Sequence, residues 1–349
     1  MIFLEVENCS ARCSIQDAGR IGWQRIGFPR SGALDLLALA AANTLVGNPA
    51  ETAGIELYVG GITLSVLGGP VRMALAGAEF PMAIDGQAVP SHTSFVLHPG
   101  QRLSVKSARY GTCGVLAVEG GFDLPKVLGS HALHARSETG GFEGRFLLQG
   151  DRLPVCRASA PRREVRLPPL AVSNGIALRV VLGPQLDFFS KPAIETLLGT
   201  EFSVTSDCDR MAYRLSGPAM TPRRRLNFVS DGVFEGAVQV TNGGQLIVML
   251  ADHQTIGGYP KIAGLISADI RCLVNRRPGE TVRFAAVSVQ SAQDELRRFH
   301  ARIASLNGDF SPVGAVSFDL NDRSIAAIAD NAVNAVDTDT WACDLCISS

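Results

Sequence analysis

The stretch 61–121 decides the fold: GITLSV (61–66), VRMALAG (71–77), FPMAIDG (80–86), SFVLHPG (94–100), QRLSVKS (101–107) and GVLAVEGG (114–121). The runs are short, carry β-branched residues, recur about every ten residues and stop at Gly or Pro, which predicts antiparallel strands of a sandwich or barrel. The pattern holds from Glu56 to about Val155. It returns in the second half as IALRVVLG (176–183), FSVTS (202–206), AVQVT (237–241), QLIVMLAD (245–252) and TVRFAAVS (281–288). One echo links the halves: His98-Pro99-Gly100 before QRLSV resembles Arg277-Pro278-Gly279 before ETVRF.

Between the strands lie a few helical segments. LLALAAANTLVG (36–47) is Ala- and Leu-rich, stops at Gly47-Asn48-Pro49, and has Asp35 placed to cap it. LDFFSKPAIETLLG (186–199) reads as a helix broken early by Pro192, and ADIRCLVNRR (268–277) as a short helix. From about Ser291 the pattern is helical again, ending in an Ala-rich tail. The basic, Pro-rich stretch RASAPRREVRLPPLAVSNG reads as a linker. The expected organisation is an N-terminal β domain (1–156), a linker (157–175), a C-terminal β domain (176–290) and a helical extension (291–349).

A chain of 349 residues fits two or three domains and buries a core without disulfides. Lys plus Arg total 32 against 33 Asp plus Glu, so no basic face argues for nucleic acid or an anionic membrane. No apolar run is long enough to span a membrane, and the N-terminus lacks a basic leader, which points to a cytoplasmic protein. Cys113, Cys156, Cys208 and Cys272 stand singly in apolar runs, as small buried hydrophobes do.

No GxxxxGK[ST], GxSxG or strand-borne GxGxxG is present. His131 and His134 form an HxxH pair, Cys343 and Cys346 a CxxC, and Cys9 and Cys13 a wider pair. None has further ligands nearby in sequence, so no metal site is expected.

Three segments carry more polar residues than turns require. Gln16-Asp17-Ala18-Gly19-Arg20 with Ser31-Gly32-Ala33-Leu34-Asp35 forms either a polar pocket or turn chemistry plus a cap. Asp209 to Arg214 places an arginine at each end of a strand-like hexamer, able to fork onto a carboxylate or phosphate, or to line a solvated edge. Asp252 to Lys261 puts a lysine after a Gly-Gly-Tyr-Pro turn; the residues alone favour an exposed lysine, and an oxyanion partner is the other reading.

Taken together and in order, QDAGRIGWQRIGFPRSGALD (16–35), LAAANTLVGNP (39–49), EGGFDLPKVLGS (119–130), GGFEGRFLLQGD (140–151), DRMAYRLSGP (209–218), GAVQV (236–240) and GQLIVMLADHQTIGGYPKIAGLISADI (244–270) resemble the biotin-dependent carboxyltransferase family. Members of that family are also called the C-type subunit of 5-oxoprolinase, or allophanate hydrolase subunit 2. The resemblance spans about residues 10–290. It implies a mainly β fold of two cyclophilin-like β-barrel domains with a few helices. It implies membership of an ATP-dependent 5-oxoprolinase complex that hydrolyses 5-oxo-L-proline to L-glutamate. The B-type and A-type proteins of such a 5-oxoprolinase would be partners, ATP would be used by the complex, and no covalent biotin would sit on this chain. Two other roles exist among relatives: a carboxyltransferase component of a urea carboxylase-like system, and a non-catalytic antagonist of a kinase-inhibitor protein.

The resemblance also carries roles onto matching residues. Lys261 and Arg214 are expected to hold developing negative charge, and Asp17 to orient groups or move a proton. Gln16, Arg20, Ser31, Asp35, Arg210, Tyr213, Gln239, Gln254 and Tyr259 are expected to bind substrate. This sequence departs from the family where Arg-Ser-Thr becomes His131-Ala132-Leu133, where Pro-Pro becomes Thr241-Asn242, and at Ser230-Asp231-Gly232. These departures bear on the substrate more than on the fold.

Overall fold

A computed structural model describes residues 1–156, 163–170, 177–220 and 229–313. Met1–Pro312 forms one compact unit. The Ala-rich tail and the Cys343/Cys346 pair lie outside the described residues.

The first half is two antiparallel sheets closed over one core. The six-stranded sheet runs in the order Arg152–Val155, Ile2–Cys9, Ile62–Leu67, Arg102–Val105, Met82–Ile84 and Gln87–Val89. The five-stranded sheet runs Ser14–Gln16, Gly54–Tyr58, Tyr110–Val118, Val71–Glu79 and Ser94–Leu97. Leu4, Val6, Ile55, Leu64, Leu75, Leu103 and Leu116 fill the space between them. Alternation is clean in Ile62–Leu67, which shows only one face to the core, but lost in Val71–Glu79, which is buried on both faces. Its second face is covered by helix α1 (Leu36–Val46), whose alanines pack on Ala74, Ala76, Val115 and Ala117. The helix comes so close that a Cβ on Gly77 would sit 3.0 Å from the Ala38 Cβ. α1 starts as the sequence predicts: the Asp35 carboxylate accepts from Leu37 N (3.1 Å) and Ala38 N (3.0 Å).

The second half is one eight-stranded sheet, in the order Thr281–Val282, Phe202–Cys208, Ala212–Ser216, Leu246–Met249, Ala237–Val240, Lys261–Leu265, Leu178–Leu182 and Phe284–Ala286. The two outermost strands are consecutive in sequence, separated only by Arg283, so the sheet curls into a nearly closed barrel. A short ribbon, Asp231–Gly232 paired with Ile256–Gly257, lies beside it. The echo between the halves is structural. In each turn the residue before Pro donates its N–H to the side chain after Gly: His98 to Gln101 Oε1 (2.9 Å) and Arg277 to Glu280 Oε2 (2.9 Å). Gly100 and Gly279 share a left-handed φ, 88° and 90°.

Pro192 does not break a helix. It sits in the first turn of α2 (Lys191–Gly199), where its missing N–H has no intrahelical partner to lose, and Ser190 caps the start. The short helix expected after Ala268 is α3 (Ile270–Val274). A long helix, α4 (Val289–Ser305), follows the barrel. Within the stretch read as a linker, residues 163–170 are packed rather than loose. Leu167 and Leu170 are buried against the α1 layer, and Arg72 pairs with Glu164 at 2.9 Å. His92 anchors the same segment, its Nε2 accepting from Gly77 N (3.2 Å) and Leu170 N (3.5 Å). No helix among the described residues is long and apolar enough to cross a membrane.

The halves are joined through Arg210. Its guanidinium donates to Glu56 Oε1 and Gly32 O (2.6 Å) from the first half and to both carboxylate oxygens of Asp252 (2.9 and 3.3 Å) from the second. Burial alone would lower the Arg210 pKa, but Asp252 and Glu56 outweigh it and hold the charge in place. Tyr213 adds a second link: it meets the Tyr58 hydroxyl at 2.7 Å and donates to Val274 O.

Two outcomes follow from these contacts. Arg210→Met should cost about 3–5 kcal/mol in urea unfolding by stranding the buried Glu56 and the half-buried Asp252, and adding Glu56→Gln should recover part of it; equal stability of Arg210→Met and wild type would show the link to be idle. Burial holds the His92 pKa down at about 4, from an ordinary 6.5. The unfolded chain therefore binds the extra proton first, and stability should fall as pH drops from about 6.5 toward 4, by at most about 1.4 kcal/mol per unit for this group. His92→Asn should flatten that slope in Tm measurements from pH 7 to 5.

Candidate functional site

Two groups of polar side chains meet along the segment 251–257. The first group belongs to the loops that follow strand Ser14–Gln16. Asp17 is their knot: Oδ1 accepts from Gly19 N (2.8 Å) and Ser130 Oγ (2.6 Å), and Oδ2 from His131 N (2.6 Å). The loop 131–133 is stitched to this strand end residue by residue. Arg20 Nη2 donates to Ala132 O, and Gln16 Nε2 to Leu133 O (3.2 Å). The opposing loop approaches just as closely. A Cβ on Gly32 would lie 2.7 Å from Gly19 N, and both glycines have positive φ, so neither position accepts a side chain without strain.

Arg20 is buried, with its guanidinium 5.4 Å from the Phe28 ring centre. Phe28 in turn meets His134 edge-on at 5.8 Å. Burial lowers the Arg20 pKa, against the opposing pull of Asp17 and Asp252. Burial likewise lowers the His131 and His134 pKa values, which keeps both rings neutral near pH 7. Of the expected HxxH pair, His134 Nδ1 lies 2.6 Å from Ser137 Oγ.

The second group faces the short ribbon. Gln239 is the register partner of Lys261 on the neighbouring strand. Lys261, which the residues alone favour as exposed, has only 2% of its surface accessible. Its ammonium donates to Asp231 Oδ2 (2.7 Å) and Gly232 O (2.9 Å). The lysine draws the Asp231 carboxyl below its ordinary pKa. Gln254 flanks the same place, and Tyr259 stands partly exposed at the rim.

The segment 251–257 ties the groups together. Ala251 O accepts from Ser31 N (3.0 Å), Asp252 binds Arg210, and His253 is wholly buried with Nε2 at 3.2 Å from Gln24 Nε2. The outcome is a shared set of unmatched polar atoms. Gln16 Oε1, Arg20 Nη1, Ser31 Oγ, Gln239 Nε2 and Gln254 Oε1 are buried without a hydrogen-bond partner among the described residues. Buried polar groups rarely remain so, which makes these atoms the natural contacts of a ligand.

Five expected site residues are spent otherwise. Asp35 caps α1 and also binds Asn275. Tyr213 lies in the barrel core and Arg210 in the seam. Arg214 points to solvent, 3.4 Å from Gln245 Oε1, and joins neither group. Asp17 is saturated by three donors, a positioning arrangement rather than one with a free proton acceptor. Cavities of about 180 and 240 Å³ lie elsewhere, one beside Phe202 and Gly244, the other between Leu37, Arg179 and Phe299. Sequence reasoning took His131, whose Nδ1 is also unmatched, only as half of an HxxH pair and a departure from the family, and passed over Glu56, whose signal was a lone carboxylate in the apolar run GIELY. Complete burial raises the Glu56 pKa, with Arg210 opposing the rise.

The sequence pattern of the family described as "Carboxyltransferase domain, subdomain A and B" matches residues 26–286. The C-type subunit of 5-oxoprolinase from Haemophilus influenzae is 36% identical over 295 residues, covering 84% of this chain and 94% of that protein. Among solved structures, TTHA0988 superposes with a TM-score of 0.75 at 31% identity, over 82% of this chain and 56% of its own. The Kluyveromyces lactis urea carboxylase gives a TM-score of 0.79 at 25% identity, over 89% of this chain. This chain thus spans about half of the first solved chain and 30% of the second. With a match across most of its length and the same fold in solved relatives, the chain belongs to the carboxyltransferase domain family.

Proposed function

We propose that this chain is the C-type subunit of a cytoplasmic, ATP-dependent complex that opens 5-oxo-L-proline to L-glutamate. The observation that carries the reading is the degree of likeness. The chain is 36% identical to a relative named as a 5-oxoprolinase subunit and 25% identical to the urea carboxylase chain. A protein named as one lettered subunit implies others, for which B-type and A-type proteins are the candidates.

The chemistry fits the polar groups. A lactam amide is a poor electrophile, and ATP overcomes this by phosphorylating the carbonyl oxygen. Water then adds to the carbon, the C–N bond breaks as the ring nitrogen takes a proton, and a second water releases phosphate from the resulting acyl phosphate. Each step gathers negative charge on oxygen, so cationic and amide donors in a buried site favour it. Lys261 is the group we assign to that charge, and Arg20 Nη1 the group we assign to the substrate carboxylate. Asp17 holds the two loops that present Arg20. ATP enters as a co-substrate of the assembled complex.

A partner surface supports the same reading. Ile21, Ile26 and Ile256 are 78%, 64% and 62% exposed; Ile21 follows Arg20 in the chain, and Ile256 lies in the segment 251–257. Exposed apolar residues gathered beside a polar site favour a docking protein over bulk water. A second reading, a carboxyltransferase component served by biotin on another chain, is favoured by the family match and the urea carboxylase superposition.

The test is reconstitution: the chain with its partner proteins should release glutamate and phosphate from 5-oxo-L-proline and ATP, and the chain alone should release neither. Lys261→Ala should lower kcat by about 10²–10³-fold; unchanged turnover would remove Lys261 from the mechanism, and no product from an intact complex would remove the lactamase reading. Ile26→Asp combined with Ile256→Asp should abolish co-purification of the partner while leaving the Tm of the chain within about 2 °C.

A further inference from the structure

Gln239 and Gln254 hold two of the unmatched atoms, Gln239 Nε2 and Gln254 Oε1. They come from different elements, the strand Ala237–Val240 and the loop after Ala251, yet converge on one spot. A methyl group on Gly257 would stand 3.0 Å from Gln239 Nε2 and 3.5 Å from Gln254 Nε2. It would also press to 2.9 Å against Val233 Cγ2. The space next to both amides is therefore kept open by a glycine whose φ does not itself call for one.

We propose that Gln239 and Gln254 form a clamp that reads the N–H/C=O edge of a small cis amide: a lactam, a primary amide or a cyclic ureide. The inference rests on the substrate site lying here, as proposed above, but uses neither ATP nor ring opening. Its chemical basis is complementarity. A primary carboxamide offers a carbonyl acceptor and an N–H donor side by side. Its natural match is another amide whose N–H and C=O lie on the same edge, which closes two hydrogen bonds at once. With Gln239 presenting its N–H and Gln254 its carbonyl oxygen, the pair offers one donor and one acceptor. A carboxylate in this place would leave the acceptor unmatched, and an N-alkylated amide would leave it facing a methyl group. Discrimination against such ligands is then strong, because the buried amide atom stays without a partner.

The clamp is separate from the Arg20 contact, and Lys261 stands beside it as the register partner of Gln239. Lys261 pairs with Asp231 and Gly232 on the other strand of the ribbon. Arg20 lies with Phe28 and the loop 131–133. The amide end and the carboxylate end of a ligand thus have different readers, and each can be removed on its own.

The experiment is calorimetric titration of the full chain with its partner proteins, in the absence of ATP. The ligands are 5-oxo-L-proline, N-methyl-5-oxo-L-proline and hydantoin. The wild type should bind the N–H lactam at least about tenfold more tightly than the N-methyl lactam. Gln239→Met and Gln254→Met should each bring that ratio to within about twofold, with Tm preserved. Gly257→Ala should do the same by displacing Gln239. Hydantoin bound with this glutamine dependence, and 5-oxo-L-proline not bound, would keep the clamp and overturn the lactam assignment. Equal affinity for the two lactams, an unchanged ratio in the Met variants, or no binding of any of the three would overturn the clamp.

Discussion

A single buried guanidinium sets the relation between the two β systems. Arg210 makes four hydrogen bonds, to two carboxylates and a carbonyl drawn from both halves. A charge taken from water needs such compensation, because burying an ion unpaired costs several kcal/mol. The geometry of the pairing therefore propagates. Glu56 also accepts from Leu34 N (2.7 Å), so the strand Gly54–Tyr58 is registered against the entry to α1. Gly32 O is fixed, and with it the loop that bears Ser31. Asp252 is fixed, and with it the segment that carries His253 and Gln254. The polar groups of the site are held in common because their backbones share one ion cluster.

What the site lacks is as telling as what it has. The clusters that build the frame, around Asp17, Asp35 and Arg210, have their carboxylates matched. Apart from Ser31 Oγ, the unmatched atoms of the site belong to long side chains that hang from that frame. Such a division is expected where a rigid scaffold presents groups to something outside the chain. It also separates residues that resemble one another in sequence. Arg210 and Arg214 are four positions apart, but the first turns into the seam and the second, on an alternating strand, turns to water.

Strand content was legible because periodicity and turn residues are local properties. The twin Pro-Gly turns and the Asp35 cap were legible for the same reason. Lys261 was not: whether a residue at a strand start is buried depends on which strand lies opposite and what covers the pair, here Gln239 and the ribbon from Asp231. Pro192 was misread because a proline signals both the end of a helix and its first turn, and Ser190 decides for the latter through the cap it supplies. The partner of Arg210 was out of reach in principle, since Glu56 lies 154 residues away in the chain.

The three exposed isoleucines, Ile21, Ile26 and Ile256, have a consequence for supply. Apolar area left in water makes the solubility of a chain depend on its own concentration. Copies synthesised faster than that area is covered meet one another first, and the encounter is unproductive. Balanced production of the components is then a physical requirement of this surface, as much as a matter of economy for the cell.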